Sequence, residues 1–309
     1  MNVLLTGASG FLGSRIYARL RRQHSITTLG RTADESSSAK DQHIFCDLSN
    51  QVPILPRQSI DLVVNAAGKA HAVPRNAADR TEYERINVQG TARLLTALEK
   101  ASTLPKALVH ISTVLVYGRS EGELLDENTP LNAEDVYGLS KIKAEQLVRQ
   151  WSDRTGVRIT ILRLPLVAAE QPTGNLAAMM DAIRRGYYVR IANNMARRSM
   201  VRADDVAAVM IRAAEKGGTF NLTDGYHPSV WEIETAFMRL VGRSHLINMP
   251  LSVAKTIGKV GDGIATVTGR RFPFDSSTYQ KLTSSLTFSD EAARQQLNWN
   301  PRPVLNLFL

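Results

Sequence analysis

The sequence predicts an α/β fold, a doubly wound parallel sheet with a smaller unit interleaved toward its C-terminal end. Three observations predict it. Short, nearly all-apolar runs alternate with amphipathic helical patterns through the first two thirds of the chain, as strands covered on both faces by crossover helices require. A glycine-rich turn joins the first strand to the first helix. After Pro165 the regular alternation breaks down.

In order, strands read at Asn2–Thr6, Ser25–Leu29, His43–Phe45, Leu62–Asn65, Ala107–Ser112 and Arg158–Leu162. Amphipathic patterns fill the gaps at Gly10–Arg22, Arg80–Lys100 and Tyr137–Thr155. Beyond Pro165, "TGNLAAMMDAIRRG" reads as a helix stopped by glycine and "YYVRIANN" as a strand entering a polar turn. "FNLTDG" returns as a sheet strand and "SVWEIETAFMRLVG" as a further helix, while residues 249–288 read as short helical and irregular pieces.

At 309 residues, 43% of them hydrophobic, the chain can bury one large core or one core plus a smaller cap. No run approaches the roughly 18 continuous apolar residues of a membrane span. The first strand follows Met1 directly, so no secretory leader is expected. A single cysteine, Cys46, leaves no internal disulfide and fits a reducing cytoplasm. The net charge of +9 comes from Arg and Lys spread between Arg15 and Arg302 rather than gathered on one element. That spread argues against nucleic acid and for acidic small-molecule ligands. The six histidines lack the paired spacing of a metal site, so no metal is expected.

In "NVLLTGASGFLG" the three glycines have separate reasons. Gly7 allows a tight turn, Gly10 lets the backbone approach a pyrophosphate, and Gly13 packs the helix against the sheet. The helix N-terminus offers unpaired N–H groups and a positive dipole end to phosphates. A second constellation is "YGLSK", which places Tyr137 and Lys141 one turn apart on one helix face. A nearby ammonium favours the phenolate, so such a tyrosine can exchange a proton with a substrate oxygen nearer neutral pH. Upstream, "LVHISTVLVYG" ends a strand on Ser112 and Thr113, hydroxyls that could reach the same oxygen.

With "CDL", "NAAGKAH", "INVQGT", "STVLVYG", "LRLPLV" and "RRSMVRADDVA" following in order along nearly the whole chain, these residues resemble the extended short-chain dehydrogenase/reductases, which act mainly on nucleotide-linked sugars. The resemblance implies a Rossmann dinucleotide-binding unit over residues 1–165, rejoined by 201–226, and a sugar-nucleotide unit from 166–200 and 227–309. It implies that Tyr137 is the catalytic acid/base and that Lys141 holds the nicotinamide ribose and lowers the tyrosine pKa. By the same resemblance Thr113 is expected to hydrogen-bond the reacting oxygen, with Ser112 in support. For the cofactor it implies contacts from Gly7, Ser9, Gly10, Phe11, Leu12 and Gly13, and from Asp47 and Leu48 near the adenine. Ala66, Ala67, Gly68 and Asn87 join them, as do Ser112, Tyr137, Lys141, Pro165 and Val167. For the substrate it implies Thr113, Asn175, Arg190, Arg198 and Arg271, with Lys69 and His71 facing the cleft. Cytoplasmic homodimers are expected, paired through residues 80–100 and 137–155 as a four-helix bundle.

The fold alone leaves the reaction open. Dehydratases of the family carry an Asp-Glu pair directly after the active threonine; here Val114 and Leu115 stand there and cannot move protons. The second strand ends "TTLGRT", with Gly30 and Arg31 where an NAD binder normally has an acid for the ribose hydroxyls. Glycine leaves room for a 2′-phosphate and arginine can pair with it, which favours NADP(H) over NAD(H). The expectation is therefore an NADPH-dependent reductase of a UDP-linked 2-acetamido-2,6-dideoxy-4-hexulose, giving UDP-N-acetylquinovosamine or UDP-N-acetylfucosamine. A UDP-sugar 4-epimerase with retained NAD and a non-catalytic dinucleotide-sensing regulator are the alternatives.

Overall fold

The computed structural model describes residues 1–32, 41–69, 77–268 and 275–308. Its centre is a seven-stranded sheet of β1 (Asn2–Thr6), β2 (Ser25–Gly30), β3 (Gln42–Phe45), β4 (Leu62–Asn65), β5 (Ala107–Thr113), β6 (Arg158–Leu164) and β7 (Gly218–Asn221). The order is β3-β2-β1-β4-β5-β6-β7 and every pairing is parallel. The chain therefore reverses its direction of winding between β1 and β4, and ligands of such sheets lie in the crevice outside the strands' carboxyl ends at that switch.

The helices are α1 (Phe11–Leu20), α2 (Ala77–Tyr83), α3 (Gly90–Glu99), α4 (Val136–Thr155), α5 (Gly174–Arg185), α6 (Ala203–Lys216), α7 (Val230–Leu240), α8 (Leu251–Thr268), α9 (Ser276–Thr283) and α10 (Glu291–Leu297). Side chains alternate across each strand. Val3 and Leu5 accordingly pack with Ile16, Val206 and Met210 on one face, and Leu4 packs with Leu94, Val148 and Trp151 on the other. Ala293, Leu297 and Trp299 join the first face, so residues 291–299, expected with the second unit, lie on the sheet. A separate core of Leu176, Ile183, Ile233, Phe237 and Phe308 holds α5, α7 and the chain's last turn together.

Three short parallel pairs tie the later segments together: Leu166–Ala168 with Met200–Arg202, Val189–Ile191 with Ile247–Met249, and Gly122–Leu125 with Leu286–Phe288. Leu166–Ala168 continues directly from β6, which brings this second layer over the carboxyl edge of the sheet. Where the sequence reads as irregular pieces over 249–288, the chain instead forms the 18-residue α8. Among the described residues no helix is long and apolar enough to cross a membrane.

Candidate active site

Between the carboxyl ends of β1, β4, β5 and β6 and the first turn of α5 lies a cleft of about 590 Å³. The glycine turn forms one wall. Gly7 has φ +73°, and a Cβ there would stand 2.7 Å from the Ala67 nitrogen. A Cβ on Gly13 would stand 1.9 Å from the Gly7 carbonyl oxygen, so the helix can approach the turn only without one. Gly10 is the N-cap of α1 and supplies no side-chain acceptor. The first-turn residues Phe11, Leu12 and Gly13 line the cleft with their N–H groups uncapped by any side chain, which fits a diphosphate at a helix N-terminus.

The adjoining wall is locked by buried polar side chains. Thr6 donates to Asn65 Oδ1 at 2.8 Å and accepts the Ala67 N–H at 3.0 Å. Asn87 accepts the Lys69 N–H at 2.7 Å and donates to Ser140 Oγ at 2.9 Å. It does so from a π-helical turn, Glu84–Gln89, set between α2 and α3. Such a turn inside a helix often marks a functional position. Here it aims Asn87 at the 66–69 loop. Asn87 is buried behind that loop, so it shapes the wall rather than forming it.

The third wall carries the reactive groups. Asp135 caps α4 by accepting the Gly138 N–H at 3.0 Å, which places Tyr137 in the first turn. The Thr113 hydroxyl hydrogen-bonds the Tyr137 phenol and also accepts the Leu115 N–H at 3.3 Å. Burial pushes the phenol up to about 12, although part of the ring faces the cleft and the Thr113 bond pulls the other way. The Tyr83 ring stands 5.8 Å away at 57°. Lys141 is buried and donates to the Ile111 carbonyl at 2.6 Å. Burial lowers its ammonium to about 8, against the opposing pull of Glu145. The expected lowering of the tyrosine by this lysine is thus not what this geometry produces. Desolvation dominates, and the phenol keeps its proton.

Beneath these groups runs a buried network that the sequence reading missed. Ser112 donates to Glu145 Oε1 at 2.5 Å, and Arg163 clasps the same carboxylate through Nε at 3.2 Å and Nη2 at 2.8 Å. Arg163 also reaches the Tyr117 hydroxyl at 3.0 Å, and that hydroxyl donates to Asn221 at 2.7 Å. Ser112 and Arg163 are register partners on β5 and β6, which sets the three side chains in one layer. An arginine inside the otherwise apolar "TILRLPL" is the signal that could have found it, because such a charge demands a buried partner. The Ser112 hydroxyl is turned to Glu145 and not to the phenol.

Of the other expected site residues, Ala66, Ala67, Gly68, Lys69, Pro165 and Val167 line the cleft, as do Asn175 and Arg198. The Lys69 ammonium is paired with Glu82 and lies 4.8 Å over the Tyr83 ring. Arg198 donates to the Arg197, Ser284 and Lys281 carbonyls. Ser9 and Arg31 are exposed outside the cleft. Burial would raise the Asp47 carboxyl, but hydrogen bonds from Ser49, with Arg31 and Arg85 nearby, hold it below the usual range. Arg31 and Asp47 thus neighbour each other past the ends of β2 and β3. Leu48 packs against Gly90. Arg190 is a correction: it is buried away from the cleft, its Nε on Glu234 at 2.7 Å and its guanidinium 3.8 Å over the Trp231 ring. A buried charge needs that pairing, and it leaves the strand position facing α7 instead of a ligand. His71 and Arg271 lie outside the described residues.

Residues 3–223 match the NAD dependent epimerase/dehydratase family. The chain is 25% identical over 303 residues to N-acetyl-alpha-D-glucosaminyl-diphospho-ditrans,octacis-undecaprenol 4-epimerase of Escherichia coli O157:H7, covering 93% of this chain and 87% of that one. It is 34% identical to dTDP-6-deoxy-L-talose 4-dehydrogenase (NAD(P)(+)) of Kitasatospora kifunensis over 59% of each chain. The structure of UDP-glucuronic acid 4-epimerase from Bacillus cereus, in complex with UDP-glucuronic acid and NAD, superposes with a TM-score of 0.76 at 18% identity, covering 100% of this chain and 96% of that one. The glycine turn, the Thr113–Tyr137 pair and the sheet order agree with the match over 3–223, and the chain belongs to the NAD dependent epimerase/dehydratase family, among the extended short-chain dehydrogenase/reductases.

Proposed function

We propose that this enzyme is an NADPH-dependent reductase acting at C4 of a keto hexose carried on a nucleoside diphosphate, with UDP-2-acetamido-2,6-dideoxy-4-hexulose as the expected substrate. The observation that carries the reading is the Thr113–Tyr137 pair, whose buried phenol, pushed up to about 12, holds a proton to give at neutral pH. NADPH, when bound, supplies the hydride. The residues do the rest: the uncapped first turn of α1 holds the diphosphate, Lys141 the ribose, and Thr113 the keto oxygen. Tyr137 then protonates that oxygen as it becomes an alkoxide. Val114 is buried, and it and Leu115 beside the active threonine offer no acid or base for removing water. The 4-dehydrogenase relative supports chemistry at the same carbon. A 4-epimerase is the second reading, favoured by the names of the Escherichia coli and Bacillus cereus relatives.

Reduced-nicotinamide absorbance separates the two. Given NADPH and the keto sugar, the reductase lowers it one-for-one with product. A protein that keeps NAD through purification and equilibrates UDP-N-acetylglucosamine with UDP-N-acetylgalactosamine, with no absorbance change, is the epimerase. In the same assay Arg31→Ala weakens NADPH binding by about tenfold or more while sparing NADH, since only the former carries the 2′-phosphate. Equal loss for both, or none, removes Arg31 from the reading and makes NAD(H) the cofactor.

The ammonium of Lys141 sets a basic limit. Below about pH 8 it is charged; between about 8 and the ordinary 10.5 the folded protein holds a neutral amine where the unfolded chain would hold a cation. Stability from this group therefore rises with pH through that window, while the charge offered to the ribose is lost. Reductive kcat/KM is expected to fall as pH passes about 8. Lys141→Met, with no proton to lose, should be slower and flat over the same range, and a wild-type limb retained in that variant would place the titration elsewhere.

A further inference from the structure

We propose that His110 is a positioning residue for the dinucleotide, acting through Asn65 and Thr6 on the Ala67 N–H in the wall of the cleft. The inference rests on a dinucleotide lying in that cleft, not on the reaction it serves. Thr6 of β1 is the register partner of Asn65 of β4, and Asn65 is the register partner of His110 of β5. The three side chains therefore form one row across the carboxyl edge of the sheet. The row lies on the face that packs against α3 and α4, two residues beyond Leu4, Val63 and Leu108 in their strands. All three residues are buried, in strand segments that are otherwise apolar: "VLLT", "LVVN" and "LVHI". Polar side chains in such a layer are tolerated only when they are hydrogen-bonded.

Hydrogen bonds account for every side-chain polar atom of the row but one. The Thr6 hydroxyl accepts the Ala67 N–H at 3.0 Å and gives its proton to Asn65 Oδ1 at 2.8 Å. The Asn65 amide nitrogen then directs one proton to Thr91 Oγ1 at 3.3 Å and the other to His110 Nδ1 at 3.1 Å. Thr91 gives its own proton to the Asn87 carbonyl at 2.7 Å, so toward Asn65 it can only accept. His110 Nδ1 must accept as well, and the single ring proton stays on Nε2. That Nε2 has no partner among the described residues. Burial, with the Lys141 ammonium nearby, holds the imidazole well below the usual histidine range and keeps the Nδ1 lone pair free of a proton. A phenylalanine would fill the site without stranding a donor, so packing does not explain a histidine here; the acceptor does. The opposite orientation of the Asn65 amide would set its carbonyl oxygen against the His110 lone pair. His110 thereby holds Asn65 Oδ1 toward Thr6, and the Thr6 oxygen toward Ala67. Ala66, Ala67 and Gly68 line the cleft, and the glycine turn packs on the same nitrogen, since a Cβ on Gly7 would stand 2.7 Å from it.

Fluorescence titration of the whole protein with NADPH and with NADH tests this, each variant being checked for folding by circular dichroism. His110→Phe keeps a ring and removes the acceptor, and it should weaken binding of the preferred nucleotide by about tenfold, the scale of one lost buried hydrogen bond. His110→Asn is smaller but restores an acceptor near the Nδ1 position, and it should bind more tightly than His110→Phe. Thr6→Val should weaken binding too, and adding His110→Phe to it should weaken binding no more than about twofold further, because both changes break the same chain. Losses that multiply in the double variant overturn the proposal, as does His110→Phe binding as wild type does. His110→Asn binding more weakly than His110→Phe also overturns it and makes packing of the ring the role of the residue. Wild type that binds neither nucleotide overturns the dinucleotide reading itself, and this inference with it.

Discussion

Tyr137→Phe is expected to leave NADPH affinity unchanged and to lower turnover by about 10²–10⁴-fold, the usual worth of a positioned general acid. The variant removes one hydroxyl and keeps the ring. The packing against Tyr83 at 5.8 Å therefore survives, and Thr113 retains the Leu115 N–H as a partner. On the proposed reduction, what is lost is the proton that the alkoxide receives. The Ser112 hydroxyl is bound to Glu145, and the Lys141 ammonium is bound to the Ile111 carbonyl. Fluorescence titration of NADPH and steady-state turnover separate binding from chemistry. A variant within about fivefold of wild type would mean that water delivers the proton and that the phenol only orients the sugar.

The sheet and the reactive groups were legible because each leaves a local mark. Strands buried on both faces are mostly apolar, and the turn needs glycine at 7 and 13 for reasons visible in the spacing of the motif. Tyr137 and Lys141 share one helix face by periodicity alone. Other features depend on contacts between distant segments. Glu145 reads as an ordinary polar position on an amphipathic helix until the register of β5 with β6 puts Arg163 beneath it. Arg190 fails for the same reason, since its position in "YYVRI" does not say that Glu234 of α7 lies against it. α8 was hidden by its glycines at 258, 261 and 263, which lower helix propensity. Two of them, Gly258 and Gly261, are among the buried positions of the helix, where tertiary contact outweighs that cost.

Glu145→Ala should be the most damaging single change outside the reactive pair, at about 3–5 kcal/mol of stability. Its carboxylate is almost completely buried and answers both the Arg163 guanidinium and the Ser112 hydroxyl, so its removal strands a buried cation and a buried donor together. Because the loss is that of one partner, a volume-matched apolar pair, Glu145→Met with Arg163→Leu, should recover much of it. Urea midpoints of the three proteins measure this, and a single variant within about 1 kcal/mol of wild type would show that water reaches and solvates Arg163. A second consequence follows at the active site. Glu145 lies one turn beyond Lys141 and favours its ammonium against the burial that lowers it to about 8. With the negative charge gone, the lysine should lose its proton at lower pH, and the basic limb of kcat/KM should move down with it. Glu145→Gln, which can still accept the Ser112 hydroxyl, should show that downward shift with a smaller loss of stability. An unmoved limb in Glu145→Gln would separate the network's structural part from any influence on the chemistry.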